Sequence, residues 1–297
     1  MPCCTHHRLV SNARVLRGDP TRTSGIVRRF LVDLRRRMRG LVRGINHFMV
    51  ELDALGLEEK TTLVRLQTER EFQFRTDAGK LDAFNEWFAQ QVDANVFSVP
   101  AGTDPSRPWT ATYVESSYRR GLVSAYISSA TGQLLSELGI GDTTLEEFLK
   151  SAFASPETIS KIILLATRSF EDLKGVSSQM SAEMSRILVQ GLIDGSNPRT
   201  IARIMNERIA SLTRTRAETI ARTEIIYAHA EGQLDAFQRL GVKEVGIKAE
   251  WTTAGDDRVC PLCEDREGQI YTIEEARGLI PLHPRCRCTW LPVVDVP

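Results

Sequence analysis

The chain has 297 residues, with 38 basic and 38 acidic side chains and no formal net charge. Hydrophobic residues at 42% and charged residues at 26% suit a folded chain of about two domains and exclude a mostly disordered or fibrous one. The best apolar run, Ile162-Ile163-Leu164-Leu165-Ala166, is far short of the roughly 20 residues that cross a bilayer, so a helical membrane protein is excluded too.

The zero balance hides an asymmetry. Residues 1–50 hold eleven Arg, no Lys, and only Asp19 and Asp33, which is +9 against −9 for the remainder. Such a split predicts a basic segment that meets phosphates or an acidic partner surface. No apolar stretch follows the first eight residues, so no signal peptide is expected and the expected setting is a reducing cytoplasm.

Residues 1–25 are polar, carry Gly18, Pro20 and Gly25, and are expected to form a flexible basic arm. From Ile26 to about Leu57 the apolar residues Ile26, Phe30, Leu34, Met38, Leu41, Ile45, Met49 and Leu52 recur at helical spacing. Arg28, Arg35, Arg36, Arg39 and Arg43 fall between them, predicting a basic outer face and candidate polyanion contacts. A second helix is predicted over Lys80 to Asn95, and a third from Trp109 to about Leu138, closed near Gly139 and Gly141. Thr144-Leu145-Glu146-Glu147 lies in a stretch with the form of a capping box. Ser155-Pro156-Glu157 opens a helix through Leu173, and Met184 to Leu192 marks a separate one ending at Gly195. Asn197-Pro198-Arg199 restarts the chain. A long helix from about Arg214 ends at Gly241, where a left-handed cap is expected. Beyond it, Val245 to Thr252 alternates as a strand does, and short strands and turns follow. The expected fold class is therefore mainly α: a helical N-terminal body over 26–195 and a small C-terminal α+β domain.

The cysteines carry the strongest signal. Cys3 and Cys4 stand at the N-terminus, and Cys260, Cys263, Cys286 and Cys288 in the last forty residues. Cys260-Pro261-Leu262-Cys263 is followed, after nineteen residues, by His283-Pro284-Arg285-Cys286-Arg287-Cys288. Two close ligand pairs at this separation suit a structural zinc ion. A two-residue loop lets two donors hold one edge of a tetrahedron, and the second pair holds the opposite edge. Cys260, Cys263, His283 and Cys286 are the expected Zn2+ ligands, with Cys288 the alternative fourth. Four protein ligands leave no open position, so the ion would be structural. It would supply folding energy to a zinc-stapled segment too small to bury much surface.

Ala221-Arg222-Thr223-Glu224 on a predicted helix, then Gly232 and Gly241, precede Glu250-Trp251-Thr252-Thr253-Ala254-Gly255-Asp256-Asp257-Arg258-Val259-Cys260 and the closing His-Pro-Arg-Cys-Arg-Cys run. In this order the motifs resemble the phage head morphogenesis family, the Mu F-like minor head proteins, over roughly residues 195–293. The resemblance implies a Mu F-like domain over 196–297, with its zinc-binding subdomain at about 245–293. It implies a structural minor head protein of a tailed phage or prophage, acting near the portal in head assembly and in DNA packaging or ejection. The implied partners are the portal protein, other head proteins and packaged DNA, and the implied location is the virion head, with synthesis in the bacterial host cytoplasm.

No catalytic constellation is apparent, and the expectation is a protein that is not an enzyme. Arg222 and Glu224, two residues apart on a helix, face different ways and suit structural roles. Asp256 and Asp257 are expected to shape the turn before the cysteines and to pair with Arg285 or Arg287. Trp251 completes the structural motif. Two alternatives remain: a zinc-supported nuclease or transferase using Glu224 or Asp257, and a nucleic-acid-binding module using the arginine-rich N-terminus.

Overall fold

A computed structural model describes residues 7–10, 17–57, 77–99, 104, 107–129, 143–240 and 247–296. Cys3, Cys4, the predicted continuation of the third helix to Leu138, and the caps at Gly139, Gly141 and Gly241 lie outside these residues. In chain order the elements are β1 (His7–Val10), α1 (Ser24–Asn46), α2 (Asp77–Val92), α3 (Ala111–Ser129), α4 (Leu145–Ala154), α5 (Pro156–Ile193), α6 (Pro198–Leu212), α7 (Glu218–Leu240), β2 (Ile247–Thr252), α8 (Pro261–Glu264), β3 (Ile270–Tyr271), α9 (Ile273–Ala276) and β4 (Thr289–Val296). The fold is mainly α with one small antiparallel sheet.

The residues group into two compact units. The first comprises 1–30, 110–169 and 219–297, and the second 31–109 and 170–218.

In the first unit the sheet order is β1-β4-β2-β3. β1 lies within the segment expected to be a flexible arm, yet it pairs with β4 from His7↔Val296 to Val10↔Val293. β2 alternates as predicted: Ile247, Ala249 and Trp251 are buried, while Lys248 and Glu250 are half-buried. Trp251 stands opposite Trp290, and their rings meet edge to face with centroids 5.4 Å apart. Such a pair contributes about 0.5–1.5 kcal/mol beyond its buried area. Among the described residues β1 reaches only to Val293, and the described strands leave that side of β4 unpaired at Trp290. The buried Gln233 of α7 takes that place: its amide donates to Trp290 O at 3.0 Å and its carbonyl accepts from Trp290 N at 3.1 Å.

The same core continues from the sheet into α3, α4, the start of α5 and α7. α3 and α7 touch backbone to backbone. A Cβ on Gly121 would lie 2.1 Å from His229 O, and one on Gly232 would lie 2.3 Å from Tyr118 O. An ion-pair network crosses the same elements. Lys161 reaches Asp235 at 2.7 Å and Glu231 at 3.2 Å; Arg277 reaches Asp235 at 2.8 Å and Glu231 at 3.0 Å. Tyr118 also donates to Asp235. Burial and the neighbouring Asp235 carboxylate push the Tyr118 phenol well above its ordinary range. His229 is wholly buried, and burial drives its imidazole down to about 3, so it is neutral.

In the second unit, Leu34, Met38, Leu41, Ile45 and Met49 are buried as their spacing predicts, while Leu52 is 45% exposed. Arg37 is also buried: it donates to the carbonyls of Val96 and Ser98 and lies 4.5 Å over the Trp109 ring. Phe48 stacks on Trp87 with centroids 4.2 Å apart. α5 runs unbroken over 38 residues, where the sequence predicts two helices. Gly175 invites a break but costs only about 1 kcal/mol against Ala in a helix. The buried Leu173, Val176, Met180 and Met184 around it hold the helix together.

Candidate metal centre

The first half of the centre is a short helical knuckle. Cys260 caps α8, Pro261 starts it, and the amides of Cys263 and Glu264 both donate to Cys260 O at 3.0 Å. Proline suits the first helical position because its missing N–H would be unsatisfied there anyway. The second half is a turn in which Cys286 N donates to His283 O at 3.0 Å, with Arg285 in the left-handed region at φ 65°.

These halves bring the five candidate ligands together. His283 Nε2 lies 3.2 Å from the sulfurs of both Cys260 and Cys263, and Cys263 Sγ lies 3.9 Å from Cys286 Sγ. Cys260, Cys263 and His283 form one metal-competent triad, and Cys263, Cys286 and Cys288 another, sharing Cys263. A tetrahedral ion with bonds of ~2.3 Å to sulfur and ~2.0 Å to nitrogen sets edges of ~3.8 Å between sulfurs and ~3.5 Å between sulfur and nitrogen. The distances are close to those edges. His283 Nδ1 donates to Pro284 O at 2.8 Å, which leaves the Nε2 lone pair facing the sulfurs. Thiolates with imidazole suit zinc, so the residues fit the expected ion.

The electrostatics of the cluster are compatible with a bound cation. The Cys288 thiol hydrogen bond lowers the Cys286 thiol to about 5, so a thiolate forms readily. Burial and that thiolate push the Cys263 thiol up, and the hydrogen bond to Cys286, with burial, does the same to Cys288. Without a cation the centre resists a second buried negative charge.

The surrounding residues hold the two halves in place. Arg287 grips Asp256 with both terminal nitrogens, each at 2.6 Å, and Arg258 adds a contact at 2.9 Å. The Arg287 fork, then Arg258, hold the Asp256 carboxyl well below the usual carboxylate range. Arg285 turns instead to α7: its Nε donates to Thr219 Oγ1 at 3.0 Å and its backbone N–H to Thr223 Oγ1 at 3.3 Å. Thr219 and Thr223, four residues apart on one helix face, were not singled out by sequence reasoning. Glu224 is buried and pairs with Arg168 at 3.2 Å, whose guanidinium lies 4.2 Å over the Tyr227 ring. Arg222 and Asp257 are exposed.

The five candidate polyanion contacts on α1, Arg28, Arg35, Arg36, Arg39 and Arg43, lie apart from the centre in the chain and are all exposed. Arg35 pairs with Glu218 and Arg36 with Asp33. No helix among the described residues is long and apolar enough to cross a membrane.

Residues 182–291 match the family model described as Phage Mu protein F like protein, the family that the motifs resemble. The match contains all five candidate ligands together with Arg222, Glu224, Trp251, Asp256 and Asp257. No curated protein and no solved structure matches the chain.

Proposed function

We propose that the chain is a structural, non-enzymatic minor head protein of a tailed phage or prophage. It acts near the portal in head assembly and in DNA packaging or ejection, and resides in the virion head. The observation that carries this reading is the family match at 182–291, within which the candidate ligands converge. In this proposal one Zn2+ is held by Cys260, Cys263, His283 and Cys286, with Cys288 as the alternative ligand. The ion fixes a subdomain at about 245–293 within a Mu F-like domain over 196–297. Its role is to join knuckle and turn, because four protein donors leave no position for substrate.

The nuclease or transferase alternative has less support. Its candidate Glu224 is buried and already paired with Arg168, and Asp257 stands exposed. The nucleic-acid-binding alternative is compatible with the main reading. The exposed Arg28, Arg35, Arg36, Arg39 and Arg43 favour a polyanionic partner such as packaged DNA.

Coexpression with a cognate portal protein and the major head protein tests the proposal. The expected outcome is about one zinc per chain and capture of the protein in heads that contain portal. Zinc-loaded chain that never enters portal-containing heads would refute the head role. Nuclease activity abolished in Glu224→Gln with zinc retained would favour the enzyme instead.

A further inference from the structure

We infer that the rim of the metal centre is a second phosphate-holding surface, on which Arg285 and Arg258 take the backbone of nucleic acid whatever its sequence. This rests on the reading that the protein meets packaged DNA, and adds a binding surface separate from α1.

After Lys248 the chain carries Arg258, Arg266, Arg277, Arg285 and Arg287 and no further Lys. Arg277 is committed to Glu231 and Asp235, and Arg266 donates to Tyr271 OH and lies over the Trp251 ring. The other three line one cleft with Cys260 and His283. Arg287 and Arg258 share the single carboxylate of Asp256, and with Arg285 the three guanidiniums of the cleft outnumber that carboxylate together with the single net negative charge of a zinc ion on three thiolates and an imidazole. Arg285 is anchored by two hydroxyls, which do not neutralise it.

The geometry suits a phosphate. Arg285 sits in a backbone region that non-glycine residues rarely enter, and its two anchors on α7 fix where the guanidinium begins. None of the described hydrogen bonds uses its terminal nitrogens, which form the fork that matches phosphate oxygens. A fork held in advance loses less freedom on binding. The Arg258 side chain is 70% exposed beside it.

The cleft also sets the ligand class. Its free volume of about 30 Å³ admits an ion or a water and excludes a base, so binding is limited to the backbone. Ala254 and Val259 are its only aliphatic lining, too little for the buried anchors of a protein interface. The neighbouring groove is lined by Asp256, Glu264 and Glu267 against the single Arg17, and this acidic excess repels a phosphate chain. The strand therefore lies on the α7 side, where Arg222 is exposed next to Thr223.

The test is fluorescence anisotropy of a short mixed-sequence duplex with full-length, zinc-loaded protein across a salt series. Each phosphate no longer neutralised lowers the log–log salt slope by about 0.9 and affinity about eightfold at about 0.1 M salt. R258Q and R285Q are each expected to show that reduction, and R285K to keep the slope. If R285Q loses zinc, R258Q decides, because its side chain is largely in solvent. Unchanged affinity and slope in both variants overturns the inference, and the α1 reading stands if R39Q/R43Q still flattens the slope. Failure of the unmodified protein to bind duplex at all removes the DNA reading and this inference together. Unchanged duplex binding with abolished head incorporation identifies an acidic protein partner and also overturns it.

Discussion

Helix α1 and the metal centre are both rich in arginine, and they use it in opposite ways. On α1, Arg28, Arg39 and Arg43 are exposed on a helix whose other face is core. Around the metal centre each arginine has a particular partner: Asp256 for Arg287, Thr219 for Arg285, Glu231 and Asp235 for Arg277. The first surface depends on a repeat, so any one member is replaceable. The second depends on individual atoms, so single changes are costly. Tolerance to substitution should therefore differ sharply between them.

The largest effect belongs to metal removal. Cys263→Ser removes the donor shared by both triads, and is expected to abolish zinc binding as measured by metal analysis. Structural zinc ions contribute on the order of 10 kcal/mol to folding of such segments. The core of β2 and β4 continues into α3 and α7, so hydrogen exchange should quicken there as well as in the knuckle. Unchanged exchange in α7 would show that the two are energetically separate. Acid should act in the same direction. The ligands bind as thiolates and neutral imidazole, so protons compete with the metal and zinc affinity falls as the pH drops.

A pair of glycine substitutions sharpens the contrast at intermediate size. Gly232→Ala puts a Cβ 2.3 Å from the Tyr118 carbonyl, and should destabilise by about 1–3 kcal/mol in denaturant unfolding. Gly175→Ala on α5 meets nothing within 4 Å, and should stabilise by about 0.5–1 kcal/mol. Equal effects at both sites would mean that α3 and α7 pack more loosely than their geometry.

The smallest effect is expected on α1. Arg39→Gln with Arg43→Gln should change stability by less than about 0.5 kcal/mol, because both side chains are exposed. The same double change should flatten the salt dependence of duplex binding by about 0.9 for every phosphate that the two arginines neutralise. A large fall in melting temperature would show that these arginines serve the fold.

What could be read in advance divides along the same line. The apolar stripe of α1, the capping box at Thr144 and the nearness of the Cys260–Cys263 pair to the His283–Cys288 run follow from spacing within a short stretch, and the structure has them. Arg37 is harder to foresee although it sits on the buried side of α1, because its charge argues against its register. The clamp of Gln233 on β4 and the links from Lys161 to Glu231 and Asp235 join residues 57 to 74 positions apart, and no local pattern announces them. The unbroken α5 is hidden because one glycine looks like a stop until its buried neighbours are known. The outer part of the sheet is hidden for a similar reason, since β1 finds its partner across almost the whole chain.

The strand order has a consequence for biosynthesis. β4 lies between β1 and β2, so the strand translated last of the three is the one in the middle. Until residues 289–296 follow, β1 lacks its strand partner and β2 has only the two-residue β3, and the ligands at 283 and 286 emerge only shortly before. Until then Trp251 has no Trp290 to pack on, and the backbone edge of β2 is open to other chains. Assembly of this sheet therefore waits for β4 and is an event of high contact order. A nascent chain stalled before residue 289 is the species most exposed to mispairing, and it is the one a chaperone has most to shield.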